Sequence, residues 1–430
     1  MSIPTPKVEI GFDLTDSPIG PFFVLDDSTR GRLDNTEYRL GGTIFFDVTD
    51  RVRNISLNRG KTRRFANFQA GQLNVEFNNH DRAFDPLYPL SPFAGNIIPR
   101  REIRVSLGTA VQFSGWIDDW DLSYTPDGNS IAGAIASDAF TILAKQTIDS
   151  QTPIVERTDQ RIAKVLDEVN WADELRDLEE GTINVGTQQI EAATNALNYM
   201  QKVTETENGF FFVGKDGSIV FRNRVQTPSS DDLVVFDQGS NIPYSALEII
   251  YGAELLYNRI VIGNDGQQSV LAVDNESIGE YGSRNLTITD LLGENALVAS
   301  DLAIEFLELF AEPEYRVEQI SVNLHNLSPT DQEKVLGLDL GSATELRFTP
   351  NGIGDEIQRY MSVIKISHRV TPDRHFIDFG FQEVKFLSLV LDDEFFGRLD
   401  QNTLALGAVE TVSLQLDSTR FGKLDLATLG

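Results

Sequence analysis

Between residues 59 and 107 the chain reads RGKTRRFANFQAGQLNVEFNNHDRAFDPLYPLSPFAGNIIPRREIRVSL. Residues 72–77 alternate polar and apolar, the period of a half-buried strand. Asn78-Asn79-His80-Asp81 is a turn run, because Asn and Asp bond their own main chain and tolerate left-handed backbone. Residues 84–93 then cross the surface with three prolines and several large apolar side chains. Residues 102–107 alternate again and return as a strand. Such a strand, stiff crossing and strand commits the region to β architecture. Phe84, Pro86, Leu87, Tyr88, Pro92 and Phe93 of the crossing are predicted to meet a neighbouring subunit, since exposed apolar patches mark interfaces. The bland expectation beside it is a loop folded back on its own barrel.

The remainder is mostly β with a few helices, and 430 residues exceed one typical core. Residues 1–42 read as an extended N-terminal arm punctuated by prolines. Residues 43–150 read as a first β domain, with strands expected at 43–48, 52–57, 72–77, 103–107, 111–123 and 130–136 and a bulge at Gly115. Residues 151–225 read as a small α+β module. Ile162, Val165, Leu166 and Val169 define one helix, a second covers about 190–205 and stops at Asn208-Gly209, and Lys215-Asp216-Gly217 turns a hairpin. Residues 226–385 return to β around one helix at about 296–310, whose apolar face is Val298, Leu302, Phe306 and Leu309. Residues 386–430 read as a tail that orders on a partner. The fold class expected is therefore mainly β, with two β-barrel-like domains, an α+β insertion and extended terminal arms.

One frame recurs, L-D-x4-G-[R/K]-L-D. Its copies are Leu25, Asp26, Gly31, Arg32, Leu33 and Asp34; Leu391, Asp392, Gly397, Arg398, Leu399 and Asp400; and Leu416, Asp417, Gly422, Lys423, Leu424 and Asp425. One copy near the start and two at the end do not make a solenoid, which needs stacked neighbours. The frame fits a tight hairpin, and equally a docking peptide used on equivalent surfaces. Terminal placement favours docking, because termini are where chains add strands to other molecules.

With 36 Lys+Arg against 65 Asp+Glu, the formal charge of -29 excludes a general nucleic-acid binder. A local basic loop such as 59–64 is the exception, and an acidic surface suits a passage through which DNA slides without sticking. With zero cysteines there is no disulfide scaffold or Cys-ligated metal. No signal segment or membrane span is expected from the hydropathy pattern.

No constellation of catalytic residues stands out. The four histidines, His80, His325, His368 and His375, show no metal spacing. His368 and His375 approach only if a hairpin brings them together, and separate hydrogen-bonded histidines are the stronger expectation. There is no nucleophile elbow and no P-loop. Asp118, Asp119 and Asp121 beside Trp116 and Trp120 suggest a sugar platform. Strict alternation, however, sends Asp119 and Asp121 to one face and Trp116, Asp118 and Trp120 to the other. Asn78, Asn79, Asp81 and Asp85 lack the frame of a Ca²⁺ loop. No catalytic residue, metal or cofactor is expected.

Several segments together resemble phage minor tail proteins of the central tail-hub type. They are Asp47-Val48-Thr49-Asp50-Arg51-Val52, Arg59-Gly60-Lys61-Thr62-Arg63, Phe68-Gln69-Ala70-Gly71-Gln72, Asn78-Asn79-His80-Asp81-Arg82-Ala83-Phe84-Asp85-Pro86, Ser91-Pro92-Phe93-Ala94-Gly95 and Ile98-Pro99, with the hairpin at 209–222, the strand at 359–368 and the terminal repeats. The resemblance spans roughly residues 20–425. It implies two related β-barrel domains and a non-enzymatic virion protein. It further implies a homotrimeric hub that joins a sixfold tail tube to a threefold tip and passes DNA through its bore. The implied partners are the distal tail protein, the tape measure and other tail-tip proteins, with phage DNA only in transit. The implied location is the virion tail tip, assembled in the host cytoplasm. Two alternatives stand beside it: a tail-associated glycan hydrolase or saccharide binder, and a sixfold distal-tail ring protein.

Overall fold

The computed structural model describes residues 4–12, 44–126, 128–224, 233–239, 241–313 and 315–383. All three copies of the L-D-x4-G-[R/K]-L-D frame lie outside the described residues.

The protein is mainly β, and one 14-stranded sheet runs through it. Its first unit follows the path Val52–Gly60, Gln69–Asn78, Ser130–Ser137, Ala110–Tyr124, Glu102–Leu107, Pro6–Phe12, Ile44–Asp47, with every neighbour antiparallel. Alternation drives it: in Gln69–Asn78 the side chains of Leu73, Val75 and Phe77 are buried while Gln72, Asn74 and Glu76 are not. Inward side chains of all seven strands meet in one cluster, from Val8, Ile10 and Phe12 to Ala132, Ala134 and Ala136. A flat sheet cannot bring distant strands to one core, so the sheet curls. Its two end strands are consecutive in the chain, joined by residues 48–51. No strand pairing among the described residues closes the curl into a complete barrel. Pro6–Phe12 falls within the stretch expected as an arm, but it is a central strand of this unit.

The second unit repeats the path: Ala246–Tyr251, Tyr315–Asn323, Arg374–Glu383, Ile357–Thr371, Ala343–Phe348, Val234–Asp237, Ile242–Pro243. Numbered by their order in the chain, both units read 3-4-7-6-5-1-2. Again the two end strands are consecutive, here separated only by Tyr244 and Ser245. Val234–Asp237 alone departs, running parallel to its neighbour where Pro6–Phe12 runs antiparallel.

The units fuse through Ile357–Thr371. On one side this strand pairs with Arg374–Glu383. On the other, its first half pairs with Ala343–Phe348 and its second half, Lys365 to Val370, pairs with Gly60 to Ile55 of the first unit. A register shift between Val363 and Lys365 marks the handover.

The α+β segment has helices Thr158–Glu168 and Ala196–Glu207 against the hairpin Phe210–Val213 and Ile219–Arg222. Asn195 caps the second helix by accepting from the Asn198 amide at 3.0 Å, and Asn208 ends it in left-handed backbone at φ 56°. Its Ile162, Met200 and Phe211 share one core with Phe236, Ile366 and Phe379 of the second unit. A further module sits inside the second unit, where the helix Ala296–Phe310 covers the sheet Val270–Val273, Arg259–Asn264, Asn285–Leu291. Its buried face is Ala299, Leu302, Ala303, Phe306 and Phe310. Val298 and Leu309 of the expected face are only half-buried, because the buried face is centred on Ala299, Ala303, Phe306 and Phe310 instead.

Candidate functional site

The crossing after Asn78 is built as a chain of tight turns. Backbone amides of Arg82, Asp85, Tyr88, Ser91 and Ala94 each donate to the carbonyl three residues earlier. Asn79 is fully buried, and its Oδ1 accepts from the Phe84 amide at 2.9 Å. Arg82 adopts φ 58° and grips Asp85 Oδ2 through Nε and Nη2 at 2.9 and 2.7 Å. Burial alone would raise the Asp85 carboxyl, but Arg82 and the Leu87 amide hold it below its ordinary range.

This frame sorts the expected contact residues into two sets. Phe84 and Phe93 turn inward: Phe84 stacks on Phe77 at 4.5 Å and on Trp120 at 5.6 Å, and Phe93 lies 4.8 Å from Phe12. Pro86, Leu87 and Pro92 turn outward and Tyr88 lies half-buried under the Arg82 guanidinium. Leu87 is 84% exposed and its neighbour Leu90 79%. The loop thus folds back on its own unit through two aromatics while presenting leucines and prolines outward.

The basic run 59–65 is the hinge of the molecule's interior. Arg59 is buried, pairs with Asp339 Oδ1 at 2.9 Å and donates to the Val213 carbonyl at 2.5 Å. The Lys215 amide donates to Asp339 Oδ2 at 3.2 Å, and Lys215 Nζ reaches the Leu336 and Gly337 carbonyls at 2.6 and 3.0 Å. Burial pushes the Lys215 ammonium down to about 8, with Asp339 working in the opposite direction. Lys61 lies over the rings of Phe68 and Phe210, and burial pushes its amine down to about 7. Arg64 lies 4.9 Å over Phe310 and donates to the Glu383 carbonyl. Phe65 enters the aromatic cluster of Tyr257, Phe306 and Phe310. Three of the four cations therefore serve internal contacts, and only Arg63 projects outward. Nothing in the sequence marks Asp339 as the partner of Arg59, since it is one acid among 65.

His368 and His375 do meet, against expectation. They sit on the hairpin of Ile357–Thr371 and Arg374–Glu383, with His368 Nδ1 3.1 Å from His375 Nε2. Both are buried. Burial drives His368 well below its ordinary range, with His375, Lys215 and Arg59 adding to it, and burial pushes His375 down to about 4. The pair is a neutral core element.

The tryptophan and aspartate strand also departs from simple alternation. Gln112 and Asp118 are extra residues in the pairing of Ala110–Tyr124 with its two neighbours. The second bulge reverses the parity, so Trp116 packs on the larger core and Trp120 on the first unit's core. Gly115 carries no bulge; a Cβ there would lie 2.4 Å from the Ser137 carbonyl oxygen. No group of three His, Cys, Asp or Glu residues among the described residues converges on a metal site. No helix among them is long and apolar enough to cross a membrane.

Several strand edges lack a strand partner among the described residues, the end strands Ile44–Asp47 and Ile242–Pro243 among them, and two of these edges carry large exposed apolar side chains. One is Ala246–Tyr251, which pairs only with Tyr315–Asn323. The other is the end of Ala110–Tyr124, which pairs with Ser130–Ser137 on one side, while Glu102–Leu107 covers the other side only as far as Trp116. Large apolar side chains stand exposed at both: Ile250, Tyr251 and Tyr315 at the first, Tyr124 and Ile135 at the second.

No protein-family profile matches the sequence, and no curated protein matches it. Solved structures do. The tail protein of Neisseria meningitidis MC58 superposes with a TM-score of 0.57 at 9% identity, covering 89% of this chain and 97% of that one. The 43 kDa tail protein of prophage MuSo2 from Shewanella oneidensis gives 0.55 at 12% identity, covering 88% and 98%. The fold of this chain is thus shared with phage tail proteins over nearly their whole length.

Proposed function

We propose that this chain is a structural component of a phage tail, the homotrimeric hub of the tail tip. In this reading each chain contributes two curled β units, so three chains present six to the sixfold tail tube and three to the tip. DNA leaves through the bore. The observation that carries the reading is the fold shared end to end with tail proteins. The repeated 3-4-7-6-5-1-2 strand order supports it, because a duplicated unit is what lets a threefold ring imitate a sixfold one. The net charge of -29 supports an interior that repels phosphate. His368 and His375, Asp118 and most of the basic run are held in packing and ion pairs, and the role proposed is not enzymatic.

Its partners would be the distal tail protein, the tape measure and other tip proteins, met in part through the L-D-x4-G-[R/K]-L-D peptides at the termini. The outward crest of Pro86, Leu87 and Pro92 is proposed as a subunit contact.

Light scattering on the purified chain tests the oligomer. Three copies of a 47.9 kDa chain give about 144 kDa. A stable sixfold mass would instead favour a distal-tail ring. Clearing of host peptidoglycan that Asp119→Asn abolishes would favour a hydrolase.

A further inference from the structure

Inside one chain the two units are joined strand to strand at one place: the late half of strand six of the second unit, Lys365 to Val370, pairs edge to edge with strand three of the first unit, Gly60 to Ile55. Because both units share one strand order, each has an equivalent of both partners. Strand three of the second unit is Ala246–Tyr251, and the late half of strand six of the first unit is the end of Ala110–Tyr124 beyond Trp116. Both of these edges lack a strand partner among the described residues. The joint used once within the chain is therefore left half-open at each end.

We propose that a second copy of this chain completes it, the Ala246–Tyr251 edge of one copy pairing with residues 118–124 of the next. The proposal gives the oligomer of the preceding section its interface, and rests on that section only for the number of copies.

The chemistry of the two edges fits a protein partner of the same kind. An open strand offers a row of main-chain donors and acceptors that another strand satisfies directly. Ile250, Tyr251 and Tyr315 flank one edge, with Tyr251 67% exposed. Tyr124, 50% exposed, and Ile135 flank the other. Phe84 of the turn-built loop stacks on Trp120 of this strand at 5.6 Å, which places the loop beside this edge. The same loop carries the exposed Leu87 and Leu90. Asp119 and Asp121 are exposed along the same edge. Charges placed on an edge discourage indiscriminate pairing and leave the partner with the right register favoured. The two edges differ from one another, so the contact is head-to-tail. Such contacts repeat until they close into a ring.

The chain has no cysteine, so disulfide trapping reads the seam directly. Asp121→Cys and Glu248→Cys are placed together in the full chain, and the control joins Asp121→Cys to Glu191→Cys on the helical module. Under mild oxidation the first protein should give interchain disulfides on the order of tenfold above the control, because the two thiols are held at high effective concentration. On a non-reducing gel the ladder should stop at three chains. A ladder stopping at six would uphold the seam and overturn the trimeric hub. A yield no higher than the control, a product confined to single chains, or one that stops at two would overturn the seam. If the double variant does not fold, Tyr251→Asp and Tyr124→Asp take its place. Each exposed change should reduce the assembled mass to that of one chain at an unchanged monomer melting temperature. Assembly that survives both would overturn the seam, while a wild-type trimer would leave the hub reading intact.

Discussion

Asp339 decides how the interior is tied. Its two carboxylate oxygens hold Arg59 from the first unit and the Lys215 amide from the helical module. Asp339→Ala would leave the Arg59 guanidinium, 3% exposed, as an uncompensated buried charge. A loss of about 3 kcal/mol is expected in denaturant unfolding. The histidine pair supplies a pH signature. His375 is held at about 4 against an ordinary 6.5, so its contribution is complete above pH 6.5 and is lost as pH falls through 4. Roughly 3 kcal/mol of stability should disappear over that window. His375→Gln should flatten the curve there, as read by melting temperature against pH. Neither feature was legible beforehand. The run RGKTRRF shows its charge but not its burial, and Asp339 lies 280 residues away from Arg59. The meeting of His368 and His375 was legible only as a possibility of hairpin register.

At the scale of elements, alternation made most strands of the large sheet visible, because one face of each is buried and the other is not. Alternation failed where the backbone inserts a residue. Bulges at Gln112 and Asp118 reset which side chains face inward, and no residue type announces them. Ala246–Tyr251 is not legible in the sequence, because an edge strand with both faces partly exposed has no clean pattern. The spine Ile357–Thr371 is marked in the sequence only between 359 and 368, and nothing in that stretch shows that its second half joins the units. Gly60 stands at that joint with φ +116°, and a Cβ there would fall 2.1 Å from the Ile364 carbonyl oxygen. Gly60→Ala should therefore cost at least about 2 kcal/mol and loosen the two units from each other, seen as faster amide exchange along 365–370. The loop divides in the same manner. Leu87→Asp and Leu90→Asp should change monomer stability by less than about 0.5 kcal/mol yet weaken the trimer, whereas Phe84→Asp should unfold the first unit.

For the whole molecule, the sequence displayed two β regions around a helical one, and the structure adds what links them. The repeated strand order is invisible in residue identity, since packing selects for burial and period rather than for particular side chains. The helical segment shares its core with the second unit rather than keeping one of its own. A duplicated unit with one joint made and one left open at each end suits the ring proposed above. Electron imaging of virions carrying a tag on this chain tests that most directly. Three copies should appear at the tail tip, on the axis, as six curled β units around an open bore. Density along the tube, off the axis, or in six copies would contradict the hub.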